Sequence, residues 1–429
     1  MGGNAFKNLL SHATFPRMHP TVYNALKARC LPIVQSFYTH ATVSPEAPGK
    51  TNYGDLDIVV AGPREGLTHD QIKVALRATC SVPMEGNRTS NFAVPVGAFE
   101  DVAAAYQKAA AASADAAGDT SNVETQGQMF FQVDVNVCAD LAQLERTVFY
   151  SSLGDLGFFF GLFAQTAGMS FSNYGMKLVE PIPAYPPQPF YVSSSMDDIL
   201  SFFDLSMNRW KEGFATEEDI FAWLATSPFA HPLAARYRSP TQQAAAKERI
   251  YERLMRKHFK EYLCTHEVSA PTTSLFSQEG NIEEKVKAAL KFFGKDKEHA
   301  ALMYVCRAQK HSKELLNGTN VMAWTGAAGM PIKFVMDEVK ARLAGLPVQA
   351  DDVPPTVGET VPVWQRVLLD MSEEDVRALV VNVKEEMAKD GRLDFDWKAA
   401  KAAKLERKRQ REQVAVSVEG QAVTAIVVA

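Results

Sequence analysis

The stretch Gly54-Asp55-Leu56-Asp57-Ile58-Val59-Val60 sets two carboxylates two residues apart at the opening of an otherwise apolar, β-branched run. Side chains alternate faces along a strand. Asp55 and Asp57 therefore point the same way, with Cβ atoms about 6–7 Å apart, while Leu56, Ile58 and Val60 face a core. A second run, Phe131-Gln132-Val133-Asp134-Val135-Asn136-Val137-Cys138, carries Asp134 on its polar face and Phe131, Val133, Val135 and Val137 on its apolar face. If the two strands are neighbours, three aspartates converge at one sheet edge. Two carboxylates about 4 Å apart repel by about 4 kcal/mol at an effective dielectric of about 20. A hard divalent metal relieves that repulsion, and Mg²⁺ takes carboxylate oxygens at about 2.1 Å while leaving room for substrate phosphates. Two such ions about 3.5–4 Å apart would clamp the attacking and leaving oxygens of a phosphoryl transfer. For one Asp-x-Asp alone, the plainer account is a turn cap and a solvated strand residue. The second Asp-bearing strand favours chemistry.

These residues resemble the DNA polymerase beta-like nucleotidyltransferase superfamily, and within it the family-X polymerases. That family reads Gly-Ser, a glycine, Gly-Asp-hydrophobic-Asp and a third Asp on a later strand. Val43-Ser44, Gly49, Gly54-Asp55-Leu56-Asp57 and Asp134 follow that order. Downstream, Gly168-Met169-Ser170-Phe171-Ser172-Asn173-Tyr174-Gly175-Met176 is similar to the segment after the family's catalytic sheet, and Thr216-Glu217-Glu218-Asp219-Ile220-Phe221-Ala222-Trp223-Leu224 to its thumb motif. The resemblance covers roughly residues 20–235, about half the chain. It implies an α/β (α+β) nucleotidyltransferase palm with a helical thumb. It also implies two Mg²⁺ ions, or Mn²⁺ in their place, on Asp55, Asp57 and Asp134. Ser44, Gly49, Lys50 and Gly54 would meet the triphosphate of an NTP or dNTP.

The chain departs from the family at several of these positions. Val43 stands where the family has glycine, so the resemblance carries over only the Ser44 hydroxyl. Ala47-Pro48 replace the paired arginines that meet the triphosphate, leaving Lys50 as a point charge where the family has a fork. The sugar-facing Phe-Asn falls near Leu156-Gly157, and substrate choice is therefore not transferable. Ser44 to Thr51 nearly reads as a P-loop. It lacks the first glycine, carries two prolines where backbone N–H groups should cradle phosphate, and runs into a strand. It is not a Walker A motif. No Gly-x-Ser-x-Gly elbow marks a serine hydrolase, and no helix-hairpin-helix Gly-x-Gly signature marks a repair polymerase.

The elements that must position these residues follow from pattern. The chain has 429 residues and a net charge of -5, which excludes a uniformly basic nucleic-acid binder. Its five cysteines are scattered and never in a Cys-x-x-Cys pair, so neither a disulfide framework nor a zinc site is expected. The N-terminus lacks signal-peptide regions, and the longest apolar run, near 156–164, is too short to span a bilayer. The expectation is a soluble intracellular protein, cytoplasmic or nuclear, with no membrane contact.

Residues 1–38 are expected to be an N-terminal helical segment, with a helix over 20–38 on Val22, Leu26, Cys30 and Ile33. The palm occupies 39–145. It includes a helix over 68–79 capped by Thr68, a strand over 91–96 that Pro95 favours at an edge, and a flexible insertion at 107–127. A thumb-like region follows over 146–265, with Phe158, Phe159, Phe160 and Phe163 as core. In a helix over 246–262, Arg249, Arg253, Arg256 and Lys260 line one face, able to track a phosphate backbone or form a solvated face. A helical module spans 280–346. Its glycine-punctuated turn at 316–333 resembles, over a short stretch, the C-terminal segment of tRNA nucleotidyltransferases. A proline-bearing linker at 347–371 and a charged helical tail at 372–429 complete the chain, with a basic cluster at 404–411.

The expected function is transfer of a nucleoside monophosphate to a hydroxyl acceptor, a DNA or RNA 3′ end, with release of pyrophosphate. The alternative is a catalytically degenerate nucleotidyltransferase fold retained as a nucleic-acid-binding or interaction scaffold, which the missing arginines favour.

Overall fold

The fold is organised by a mixed five-stranded sheet, seen in a computed structural model that describes residues 3–84, 88–117, 128–239, 253–268, 281–347 and 361–394, with a few positions between 402 and 409. Strands β1 (Tyr38–Thr42), β2 (Asp55–Pro63), β3 (Cys80–Val82), β4 (Thr89–Pro95) and β5 (Phe130–Val137) take the order β1-β2-β5-β4-β3. β2 and β5 run parallel, and all other pairs are antiparallel. The parallel pair is possible because a long crossover, comprising α2 (His69–Ala75), the β3–β4 hairpin and α3 (Glu100–Ala117), separates the two strands.

Period-two patterning decides which face is dry. Leu56, Ile58 and Val60 of β2, Phe92 and Val94 of β4, and Phe131, Val133 and Val135 of β5 share one core. Helix α1 (Pro20–Gln35) packs Val22, Leu26, Cys30 and Val34 into it, and α3 adds Val102. The opposite face is covered at its two ends. Phe6 of the N-terminal segment packs on Ala93 and Phe130, while α4 (Leu141–Ser151) lays Leu144 over Val59, Ala61 and Cys138. Between these covers lie Asp55, Asp57 and Asp134.

Several local expectations change. α1 stops at Gln35 so that β1 can begin at Tyr38. Thr68 forms a full capping box, but Arg77 turns to φ 54° and the helix ends at Ala75. β4 is an inner strand, not an edge; Pro95 is tolerated because it is the last residue of that strand. The alanine-rich start of the expected insertion continues α3 through Ala117, since alanine has the strongest helix propensity; 118–127 lie outside the described residues.

Beyond the sheet, α5 (Leu156–Thr166) inserts Phe159, Phe160 and Phe163 into an aromatic cluster, all three fully buried. Phe160 meets Phe149, Phe171, Phe203 and Trp223. Phe158 is only half-buried and carries the Arg256 guanidinium at 3.9 Å from its ring centre. The Gly168–Met176 segment is a hairpin of β6 (Met169–Ser172) and β7 (Gly175–Leu178), with β8 (Tyr191–Ser193) beside β7. Gly175 sits at φ 119°, where a Cβ would stand 2.4 Å from the Ser193 carbonyl oxygen, so only glycine closes this turn. Thr216 caps the helix Glu217–Ala225 through a capping box with Asp219.

The expected line of cations is not a free face. Arg253 and Arg256 both bind the buried Asp155 carboxylate, at 3.2 and 2.7 Å, tying helix Leu254–Thr265 to the start of α5. Arg249 lies outside the described residues. A buried carboxylate recruits the nearest guanidinium groups because leaving it unpaired is costly. Arg256→Ala is expected to destabilise the protein by about 2 kcal/mol in urea unfolding, since it removes the closer partner of a buried charge. A change within error would mean that Arg253 alone satisfies Asp155.

Two compact units are present, Met1–Pro181 with Pro187–Asp296, and Ile182–Pro186 with Lys297–Ala429. In the second unit, helices Gly318–Thr325, Met330–Ala344, Val363–Leu368 and Glu373–Lys389 share one core of Val321, Val335, Val339, Leu343, Leu368, Val376, Val380, Val383 and Met387. Part of the expected linker is thus a packed helix, and the helix at 373–389 belongs to the same core as the preceding module. The apolar face of Trp364, Val367 and Leu368 overrides the proline signal that precedes it. The helix Ile282–Phe292 falls in the first unit, where Val286 approaches Gly168.

Candidate active site

Asp57 and Asp134 are register partners on neighbouring parallel strands, and Asp55 pairs with Gln132 two residues earlier on the same face. Neighbouring strands lie about 4.8 Å apart, so the Asp57 and Asp134 side chains stand side by side on the same face. The cluster is on two inner strands, the central β5 and its neighbour β2, near the start of β2 and not on an edge strand. Asn91 of β4 extends the row, directly opposite Asp134.

Two amides hold Asp134. Asn91 Nδ2 donates to its Oδ1 at 2.7 Å, and Gln132 Nε2 donates to Oδ1 and Oδ2 at 3.0 and 2.8 Å. The Gln132 orientation is set in turn by the Gly3 backbone N–H, which donates to Oε1 at 2.6 Å. An N-terminal segment thus fixes the carboxylate of a strand far away in sequence. Neither Asn91 nor Gln132 stands out in the sequence, though the polar positions of an otherwise apolar central strand are the available signal.

Burial pushes the Asp134 carboxyl up to about 6; its two amide donors work against that rise, and Asp55 adds to it. Asp57 is pushed to about 7, first by lost hydration, then by Asp55, Asp134 and Glu46, with Lys50 opposing. Asp57 remains accessible at the surface, but protein atoms crowd its carboxyl and thin its hydration.

The loop before β2 brings the other sequence-derived residues to this face in part. Ser44 is half-buried and Gly49 turns at φ 71°. Pro45 is held by the Leu153 N–H at 2.7 Å, and Gly54 immediately precedes β2. Lys50 does not stand free: its Nζ donates to Glu46 at 2.5 Å and lies 4.4 Å from the Tyr53 ring centre. Glu46 is a fourth carboxylate of the site that pattern did not single out; its other oxygen accepts from the Tyr23 hydroxyl at 2.8 Å.

The donor chemistry suits a hard divalent cation. The donors are carboxylates with two raised pKa values, and Lys50, whose charge opposes the rise at Asp57, is already paired with Glu46. The spacing is open, however: among the described residues no three His, Cys, Asp or Glu side chains close into a metal-ligand set. Two of the three aspartates meet in register and the third shares their face, and amides from β4 and β5 grip Asp134.

No protein-family model matches the chain, and no curated protein matches it. No single helix among the described residues is long and apolar enough to cross a membrane; α4 and α5 together pass by composition but are bent by 93°. All five cysteines are free thiols.

Proposed function

We propose that this chain is a metal-dependent nucleotidyltransferase that transfers a nucleoside monophosphate from an NTP or dNTP to the 3′ hydroxyl of a nucleic acid. The observation that carries this reading is the Asp57–Asp134 register on adjacent parallel strands, with Asp55 on the same face. Folding alone gains nothing from three carboxylates on one face, and two of them are held above the usual carboxylate range. Ser44 and Gly49 in the loop before β2, Asp55 and Asp57 on β2 and Asp134 on β5 follow the order that the resemblance to polymerase beta-like palms implies, and the hairpin and capped helix downstream are compatible with a thumb.

Asp55, Asp57 and Asp134 would hold Mg²⁺ or Mn²⁺, which when bound supplies charge neutralisation for the attacking oxygen and the departing pyrophosphate. Asp134 is placed to orient the acceptor hydroxyl and accept its proton, and its pKa of about 6 leaves it ionised at neutral pH. The acceptor oxygen forms the new bond to the α-phosphorus as the bond to pyrophosphate breaks. Ser44, the Gly49 turn and Lys50 would meet the triphosphate, and positioning supplies most of the rate.

The test is extension of labelled DNA and RNA oligonucleotides with each NTP and dNTP and Mg²⁺ or Mn²⁺, with Asp55→Ala/Asp57→Ala as control. Metal-dependent extension absent from the control is expected. The Lys50–Glu46 pair and the Ala47-Pro48 substitution favour a second reading, a degenerate scaffold without nucleotide chemistry. Absence of both extension and labelled-nucleotide binding would select it.

A further inference from the structure

The pair formed by Glu46 and Lys50 occupies the cation that a phosphate would need. Lys50 follows the Gly49 turn in the loop that leads into β2, and its ammonium is bound to Glu46 four residues earlier in the same loop, at 2.5 Å. The geometry is built. Gly49 at φ 71° turns the chain back, the Lys50 N–H reaches the Ala47 carbonyl oxygen at 3.4 Å, and Lys50 lies over Tyr53. Tyr53 stacks on Tyr23 with ring centres 3.8 Å apart, and the Tyr23 hydroxyl anchors the second Glu46 oxygen. The Tyr23 hydroxyl therefore keeps Glu46 in the loop whether or not it holds the lysine.

We propose that Glu46 sets the nucleotide affinity of this site by competing with substrate phosphate for Lys50, so that a triphosphate binds by displacing the Glu46 carboxylate from the lysine. The proposal rests on the nucleotidyltransferase reading. The Lys50 and Glu46 side chains are 35% and 31% exposed, a setting in which an ion pair is weak and exchangeable. A phosphate brings more charge and more acceptor oxygens to the same ammonium than one carboxylate does. Tyr23 keeps Glu46 anchored, so the exchange needs only a side-chain movement of Lys50. The loop thus admits phosphate through one lysine under a built-in restraint.

The experiment measures equilibrium binding of radiolabelled ATP and dATP to the full chain with Mg²⁺, comparing wild type, Glu46→Gln, Lys50→Met and the double variant. The amide introduced by Glu46→Gln keeps an oxygen for the Tyr23 hydroxyl but carries no charge. Glu46→Gln is expected to bind about tenfold tighter, the effect of releasing one charge-assisted contact. Lys50→Met is expected to bind more weakly than wild type, and the double variant no better than Lys50→Met. Equal affinity of wild type and Glu46→Gln, with binding measurable in both, overturns the proposal and leaves the nucleotidyltransferase reading intact. A gain that survives in the double variant also overturns it, because Glu46 then acts by general repulsion and not through Lys50. Absence of binding to every protein overturns the nucleotide reading and the proposal with it.

Discussion

Asp57→Asn is expected to abolish nucleotide transfer, by roughly 10³-fold or more, while raising the melting temperature of the metal-free protein at pH 8. The two effects have one cause. Asp57 is held at about 7 because hydration is reduced around it and three other carboxylates bear on it, so its negative charge opposes folding above that pH. The amide is close in shape and carries no charge to repel. Asp57 is a cleaner probe than Asp134. Both Asp134 oxygens accept from amide donors, so Asp134→Asn would set its own NH₂ against the Gln132 NH₂, which the Gly3 contact keeps from turning. Loss of that variant's activity would mix chemistry with misfolding. Oligonucleotide extension and thermal melting on the same Asp57→Asn preparation decide the matter. Activity within a few fold of wild type would remove Asp57 from the chemistry, and a lowered melting temperature would show that its charge serves the fold.

The metal-free protein is expected to lose stability as pH rises from about 4 to about 7, the reverse of the behaviour of most carboxylate-bearing proteins. In this window the native state holds protons on Asp134 and Asp57 that the unfolded chain, with ordinary carboxyl pKa values, has released. Each step up in pH therefore favours unfolding, until both groups are ionised in the native state as well. For Asp134, which is 9% exposed, the rise from the usual 3.8 to about 6 corresponds to a loss on the order of 3 kcal/mol. Asp57 adds to the loss in the same direction, reduced by its contact with water. Glu338, held low by Arg392 and Arg342, and Glu386, held low by Arg342, act oppositely only as pH falls toward their lower range, whereas His69 and His299, held low by burial, oppose the trend as pH rises through about 6.5. The measurement is the urea midpoint at pH 5 and pH 8 with EDTA, repeated with Mg²⁺. The expected result is a lower midpoint at pH 8 that Mg²⁺ restores. A metal-free midpoint whose change between pH 5 and pH 8 is the same in wild type and in Asp57→Asn would refute the uncompensated carboxylate cluster.

Much of the scaffold was legible because its signals are local. Alternation of apolar and polar residues located β2 and β5 and assigned their faces, since a strand has period two whatever surrounds it. Thr68 and Thr216 marked helix starts through capping geometry contained within four residues. The aromatic run at 158–163 declared a core by its size alone, apart from Phe158, which is half-buried with the Arg256 guanidinium over its ring.

What pattern could not supply was every fact resting on residues far apart in the chain. The inner position of β4 depends on β3 pairing beyond it, and Pro95 carries no information about that. Arg253 and Arg256 read as a phosphate track until the fold brings buried Asp155 to them, because charge on a helix face does not say what it will meet. Helix Val363–Leu368 lay hidden behind prolines until a core from three other helices gave its apolar side a place to go. The site divides in the same way. That three aspartates lie on the polar faces of two strands follows from residue types and spacing. That Asp57 stands beside Asp134, that Gly3 through Gln132 fixes the Asp134 carboxylate, and that Glu46 already holds Lys50 were settled only by tertiary structure. The reason is physical: side-chain direction along one strand is set by backbone geometry, whereas strand order, burial and ion pairing are set by which distant surfaces exclude water together.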